Sequence, residues 1–181
     1  FLVDELVDHG PLIVQEKIYL KGNETYLELE EKLGILGGKL FNETIEKYLN
    51  GEIEPIKQDE VLATYTRKID KEDGKLTLND DYITWDRKIR ALNPWPGTFI
   101  EIKLKEEDKI LKIFSIEKIN EKDLKIKNIK IGNFFQYKNY LGLRLKDAYI
   151  FIKELQLQDR KKMSSKEFIN GYKLGTFTMK N

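Results

Sequence analysis

The sequence predicts an α/β remnant followed by a small β-barrel domain. Three observations carry this reading. Leu29, Leu33, Leu36, Leu40 and Phe41 recur at mostly three- and four-residue spacing, the period of an amphipathic helix. After Gly97 the chain changes to short runs in which apolar and polar residues alternate, the period of half-buried strands. Between these parts lies a stretch of little periodicity, with Pro55, a polar Gln58–Glu60 and "ATYTRKIDKEDGK".

Taken in order, residues 1–3 and 11–20 are apolar enough for two strands flanking the turn in "VDELVDHGPLIVQEK". Gly22 and Asn23 break the chain, and a helix is predicted from Glu24 to Leu49. Gly34, Gly37 and Gly38 weaken it by about 1 kcal/mol each relative to Ala, which close packing against a sheet would offset. Asn50–Gly51 ends it. Residues 51–80 read as an extended connector lying on a surface. Asn79–Asp81 can cap a second helix with Tyr82, Trp85, Ile89 and Leu92 on one face. "NPWPG" stops that helix, because a proline disfavours helical geometry at the residue before it.

Five strands are expected next: "TFIEIKL", "KILKIFSIEKI", "LKIKNIKIG", "YLGLRLK" and "YIFIKELQL". Five short strands in about 60 residues suit a small closed barrel, since closure removes exposed edges. Trp95, between two prolines, is read as packing at the barrel's edge. Phe134, Phe135, Tyr137 and Tyr140 are read as packing within a barrel loop. A capping box, Ser164 to Glu167, opens a short C-terminal helix.

The bulk numbers narrow the function classes. At 181 residues the chain can hold one domain or one and a half. With 40% hydrophobic and 35% charged residues it is globular rather than disordered. It has no cysteine and one histidine, which excludes disulfides, thiolate metal sites and cysteine nucleophiles, and argues against a histidine-rich metal site. No run is apolar enough to span a bilayer and no basic-then-apolar segment opens these residues, so a soluble, cytoplasmic protein with no membrane partner is expected. The net charge of +1 hides an asymmetry. Acidic residues outnumber basic ones by seven in residues 1–98, and basic outnumber acidic by eight in residues 99–181. Such a split is compatible with a polyanion partner for the basic half and equally with solvated lysine-rich faces.

"VDELVDHGP", "QDEVLATYTRKIDKEDGKL", "IRALNPWPG" and "ELQLQDRKKMSSKEFINGYKLG", in that order from Val3 to Gly175, resemble the methionyl-tRNA formyltransferase family. Related folate formyltransferases and hydrolases share an Asp-x-Gly-Pro-like loop and a Pro-Trp-Pro-Gly-like turn; the "LQ…KKMS…F.NG" ending favours the tRNA enzyme. The resemblance implies a Rossmann-like catalytic domain, a linker and an OB-type barrel. By that match residues 1–50 are the C-terminal part of the catalytic domain, 51–80 the linker and 81–181 an OB-type tRNA-binding domain. The chain would be the C-terminal part of a longer, monomeric protein.

The implied reaction moves a formyl group from 10-formyltetrahydrofolate, without a metal, to the amino group of methionyl initiator tRNA. The amine attacks the formyl carbon, so the site must stabilise an oxyanion and manage the amine's proton. The family uses an Asn, a His and an Asp for this. The match makes Asp8 the aspartate, orienting and charge-stabilising the histidine. The Asn and His would lie upstream, and His9 is not that histidine by motif position. Read as residues alone, Asp8 near Gly10 and Pro11 is a turn former; its catalytic role comes from the resemblance. The resemblance further implies that Val3, Asp4 and Glu5 rest against the folate's pterin ring, mainly through backbone groups. Arg67 and Lys68 in the connector, Arg87 and Arg90 on the second helix, and Arg160, Lys161 and Lys162 are candidate tRNA phosphate contacts; for each, a solvated charge is the competing reading. A formyltransferase acting on a sugar-nucleotide amine, or an OB-type RNA-binding module without catalysis, are the alternatives.

Overall fold

A computed structural model describes residues 1–124, 128–173 and 177–180. The chain forms two compact units, Phe1–Lys68 and Ile69–Asn181.

The first unit is built around one helix, α1 (Tyr26–Leu49). Thr25 caps it, and Glu28 returns the bond to the Thr25 backbone, a complete capping box. Asn50 and Gly51 end it, Gly51 at φ 76°. α1 buries none of its residues, and Leu33 and Phe41 stand exposed at 47% and 61%. The strands expected at 1–3 and 11–20 do not form. A strand exists only where a neighbour pairs its backbone, and here pairing is limited to a bridge in which Leu12 and Ile56 exchange two N–H···O bonds of 2.8 Å.

The second unit is a curled antiparallel sheet with two helices against it. Its strands are β1 (Thr98–Leu104), β2 (Glu107–Lys118), β3 (Phe134–Tyr137), β4 (Tyr140–Arg144), β5 (Tyr149–Leu157), β6 (Met163–Ser164) and β7 (Phe177–Met179). Spatial order is β3-β4-β5-β2-β1-β7, with β6 also on β5. The β1–β2 turn places Lys105 and Glu106 at φ 48° and 70°, the doubly left-handed geometry of a two-residue hairpin. Register shifts around Ser115 bend β2 as it passes from β1 to β5. That bend curls the sheet far enough for the Phe134 and Phe177 rings, on its two edge strands, to meet at 4.8 Å. Among the described residues no ladder joins β3 to β7, so side chains rather than backbone bonds bring the edges together, and the expected closed barrel is a half-barrel.

The third expected strand, 124–132, does not form where it is described: its residues 125–127 lie outside the described residues and 128–132 are irregular. The strand falls instead at Phe134–Tyr137, within the presumed loop. Phe135 lies over Gly142, where a side-chain carbon would sit 2.3 Å from the ring, and Tyr137 and Tyr140 both stack on Phe151.

α2 (Tyr82–Leu92) is capped by Asp81 and buries Trp85 and Ile89 against the sheet. Residues 69–80 belong to this unit rather than to an exposed connector. Leu76 sits in the core, its N–H bonded to the Phe99 carbonyl at 2.8 Å, and the Thr77 carbonyl accepts from Trp85 Nε1 at 2.9 Å. A single buried leucine in a polar stretch leaves no periodic signal. Trp95, expected to pack, is 61% exposed; Trp85 fills the core position. α3 (Ser165–Gly171) carries the predicted capping box, and the buried Ser165 hydroxyl accepts from the Leu141 N–H.

Candidate functional site

Residues 2–11 form a closed loop in the first unit. Leu2 N–H donates to the Pro11 carbonyl at 2.9 Å. Gly10 is the one buried residue of this unit among the described residues, because its α-carbon lies against the Leu2 carbonyl; a Cβ there would stand 1.7 Å from that oxygen. Asp8 takes φ 55°, a left-handed conformation that Asp tolerates better than most residues. Its carboxylate is exposed and meets no partner among the described residues. Its backbone is held instead: Gln58 Nε2 donates to the Asp8 and Gly10 carbonyls at 2.9 and 2.8 Å. One side chain from fifty residues away therefore fixes a backbone carbonyl on each side of His9.

His9 itself lies between two carboxylates. Nδ1 is 2.6 Å from Asp4 Oδ2 and Nε2 is 3.1 Å from Glu60 Oε1. Ionised carboxylates only accept, so both bonds form only when both ring nitrogens carry protons. The bond to Asp4, then that to Glu60, raises the imidazole's pKa above its ordinary 6.5. The same bonds hold the Asp4 and Glu60 carboxyls below the usual carboxylate range, Asp4 being helped by the Leu6 N–H at 2.9 Å. Asp59 caps the short 3₁₀ turn Glu60–Leu62 that presents Glu60.

Val3, Asp4 and Glu5 lie on the same loop as Asp8. Val3 is 90% exposed, while the Asp4 carboxylate is already engaged by His9 and Leu6. Arg67 Nη1 donates to the Lys68 carbonyl, and Lys68 is exposed. On α2, Arg87 is exposed, whereas Arg90 Nε pairs with Asp86 at 2.9 Å. Arg160 and Lys161 are exposed between β5 and β6; Lys162 pairs with Glu154 at 2.9 Å and lies over the Phe114 ring. The structure thus draws Val3–Glu5, Asp8 and Gln58–Glu60 into one cluster, and leaves the cations distributed on their own elements. Gln58 and Glu60 escape a residue-level reading, since a polar stretch without periodicity looks like any loop.

Residues 68–173 match the family described as "Formyl transferase, C-terminal domain", and the chain belongs to it. Curated relatives named methionyl-tRNA formyltransferase align with nearly all of it. That of Caldicellulosiruptor saccharolyticus is 37% identical over 95% of this chain and 53% of its own length, and that of Lachnospira eligens 32% over 95% and 54%. The chain spans about half the length of the curated relatives it matches. Its fold is similar to HypX from Aquifex aeolicus in complex with tetrahydrofolic acid (TM-score 0.64, 17% identity, 96% of this chain and 29% of that one). It is also similar to an N-formyltransferase from Helicobacter canadensis in complex with folinic acid and dTDP-3-aminofucose (TM-score 0.54, 18%, 83% and 52%).

Proposed function

We propose that this chain is the C-terminal half of a cytoplasmic methionyl-tRNA formyltransferase, working as a monomer in translation initiation. The observation that carries the reading is the alignment of relatives bearing that name over 95% of the chain, from the Asp8 loop to the C-terminal domain. The first unit is then the end of a Rossmann-like catalytic domain, a reading supported by the uncovered apolar side of α1. The curled sheet is an OB-type tRNA-binding domain, supported by its bent β2 and converging edge strands.

In this reading Asp8 stands ready at the tip of a braced loop. Its unpaired carboxylate orients an upstream histidine and stabilises the positive charge that histidine acquires on taking the amine's proton. Val3 to Glu5 offer backbone groups to 10-formyltetrahydrofolate, which the outward Val3 and inward Asp4 side chains leave open. That donor supplies the formyl group. Lys68, Arg87, Arg160 and Lys161, exposed and without ion-pair partners among the described residues, are the strongest phosphate contacts, with Arg67, Arg90 and Lys162 beside them.

The test joins the chain to its upstream half and measures formylation of methionyl initiator tRNA, with filter binding over a salt series. Asp8→Asn is expected to lower kcat by at least about 10²-fold while leaving tRNA binding intact. Unchanged turnover removes Asp8 from the mechanism. Absence of salt-dependent tRNA binding, with formylation of a sugar-nucleotide amine, would replace this reading by the sugar enzyme.

A further inference from the structure

We propose that His9 is a positioning residue for Asp8: as an imidazolium bonded at both ring nitrogens, it latches the Asp8 loop onto the 58–62 segment, and its deprotonation opens the latch. The consequence for catalysis rests on the reading of Asp8 above; the latch itself is a property of this chain.

No hydrophobic side chain of the loop is fully buried. Leu6 and Val7 are exposed, and Gly10 is the only buried residue. Its conformation is therefore held by polar contacts, and those that fix residues 8–10 all come from two places. Gln58 holds the carbonyls of Asp8 and Gly10, on either side of His9. The His9 ring spans from Asp4, on the loop's own first arm, to Glu60, two residues beyond Gln58. Gln58 is neutral at every pH, and Asp4 and Glu60, held below the usual carboxylate range, stay ionised at neutral pH, so the loop's response there resides in His9.

A neutral imidazole keeps one N–H. It can then satisfy one carboxylate only, and its other nitrogen turns a lone pair toward the second. The geometry decides which bond survives. Asp4 is closer, at 2.6 Å against 3.1 Å, and less exposed, at 34% against 65%. It is also fixed by the Leu6 N–H. Nδ1–H therefore stays on Asp4, and the Glu60 contact is released. The charged groups acting on this cluster are Asp4 from the loop and Glu60 from the 3₁₀ turn, with Lys57 acting on Glu60. Because the folded imidazole's pKa is raised, the latch is closed from the lowered carboxyl range of Asp4 and Glu60 up to the ordinary imidazole value, and it opens as pH rises through the raised one.

His9 is the sole histidine of the 181 residues, so its Cε1–H resonance is unambiguous in an NMR titration of this chain. The expected midpoint lies above 6.5 and moves to lower pH in Glu60→Gln, a residue outside the proposed catalytic groups. The Asp8 and Gly10 amides should shift with the same midpoint. A midpoint at the free-imidazole value that ignores Glu60→Gln, or loop amides that ignore the His9 titration, overturns the latch. In the full-length protein, kcat/KM should fall on an alkaline limb at that midpoint. The limb should move with Glu60→Gln and vanish in His9→Arg, which keeps a cation between the carboxylates at all working pH. A limb unmoved in both variants overturns the positioning role. If the latch titrates as expected in a protein that formylates nothing, the proposed function fails and the latch stands.

Discussion

Gly10→Ala offers a direct test of how the Asp8 loop is built. The new methyl carbon would stand 1.7 Å from the Leu2 carbonyl oxygen and 2.7 Å from its carbon. Side-chain carbons essentially never come within 3.0 Å of a neighbour, so one side must retreat by about 1.3 Å. The obstacle is backbone, so no side-chain rotation relieves it. If Leu2 retreats, its 2.9 Å bond to Pro11 stretches beyond hydrogen-bonding range. If Gly10 retreats, the Gln58 bonds to Gly10 and Asp8 are lost. One or two bonds break, each worth a net 0.5–1.5 kcal/mol, so the loop loses roughly 0.5–3 kcal/mol of local stability. Hydrogen–deuterium exchange followed on the peptide covering residues 1–12 should show faster exchange there. Gly34→Ala is the control: open space surrounds its Cβ, so it should stabilise α1 by about 1 kcal/mol and leave the loop alone. In the full-length formyltransferase proposed above, an ångström's displacement of Asp8 should cost about 10²-fold in kcat. Wild-type exchange over residues 1–12 in Gly10→Ala would refute the close-approach argument.

Two further outcomes follow from the second unit. Trp85→Phe removes the donor to the Thr77 carbonyl from a fully buried site, and should lower unfolding stability by about 2–4 kcal/mol in urea; a loss under 1 kcal/mol would show that this bond does not hold residues 69–80 to the sheet. For the tRNA binding proposed above, Arg87→Ala should reduce the salt slope by about 1, and Arg90→Ala by less, because Asp86 already pairs with Arg90; equal slopes would mean that the α2 ion pair opens on binding.

What was legible in the sequence is what local chemistry decides. Both long helices follow from the spacing of apolar residues, and the cap of α2 from Asp81, because helix bonds close within a few residues; the Thr25–Glu28 box that starts α1 emerged only in the structure. β1 and β5 follow from runs that mostly alternate, and β4 from a short run rich in apolar residues. The capping box at Ser164 and the hairpin-forming strands need no distant partner to be recognised. The family resemblance, too, lies in ordered short motifs.

The tertiary structure decided whatever depends on a neighbour far along the chain. Residues 11–20 have strand-like composition, yet pairing stops at Leu12 because a strand is defined by the backbone beside it. Trp85 and Trp95 are equally apolar by sequence, but one fills the core and the other faces outward, since burial depends on which surface arrives opposite. The Asp8 loop is the same case at the candidate site. The sequence marks Asp8 through its motif; only the fold brings Gln58 and Glu60 across some fifty residues to hold it, and turns the chain's one histidine into a bridge between two carboxylates.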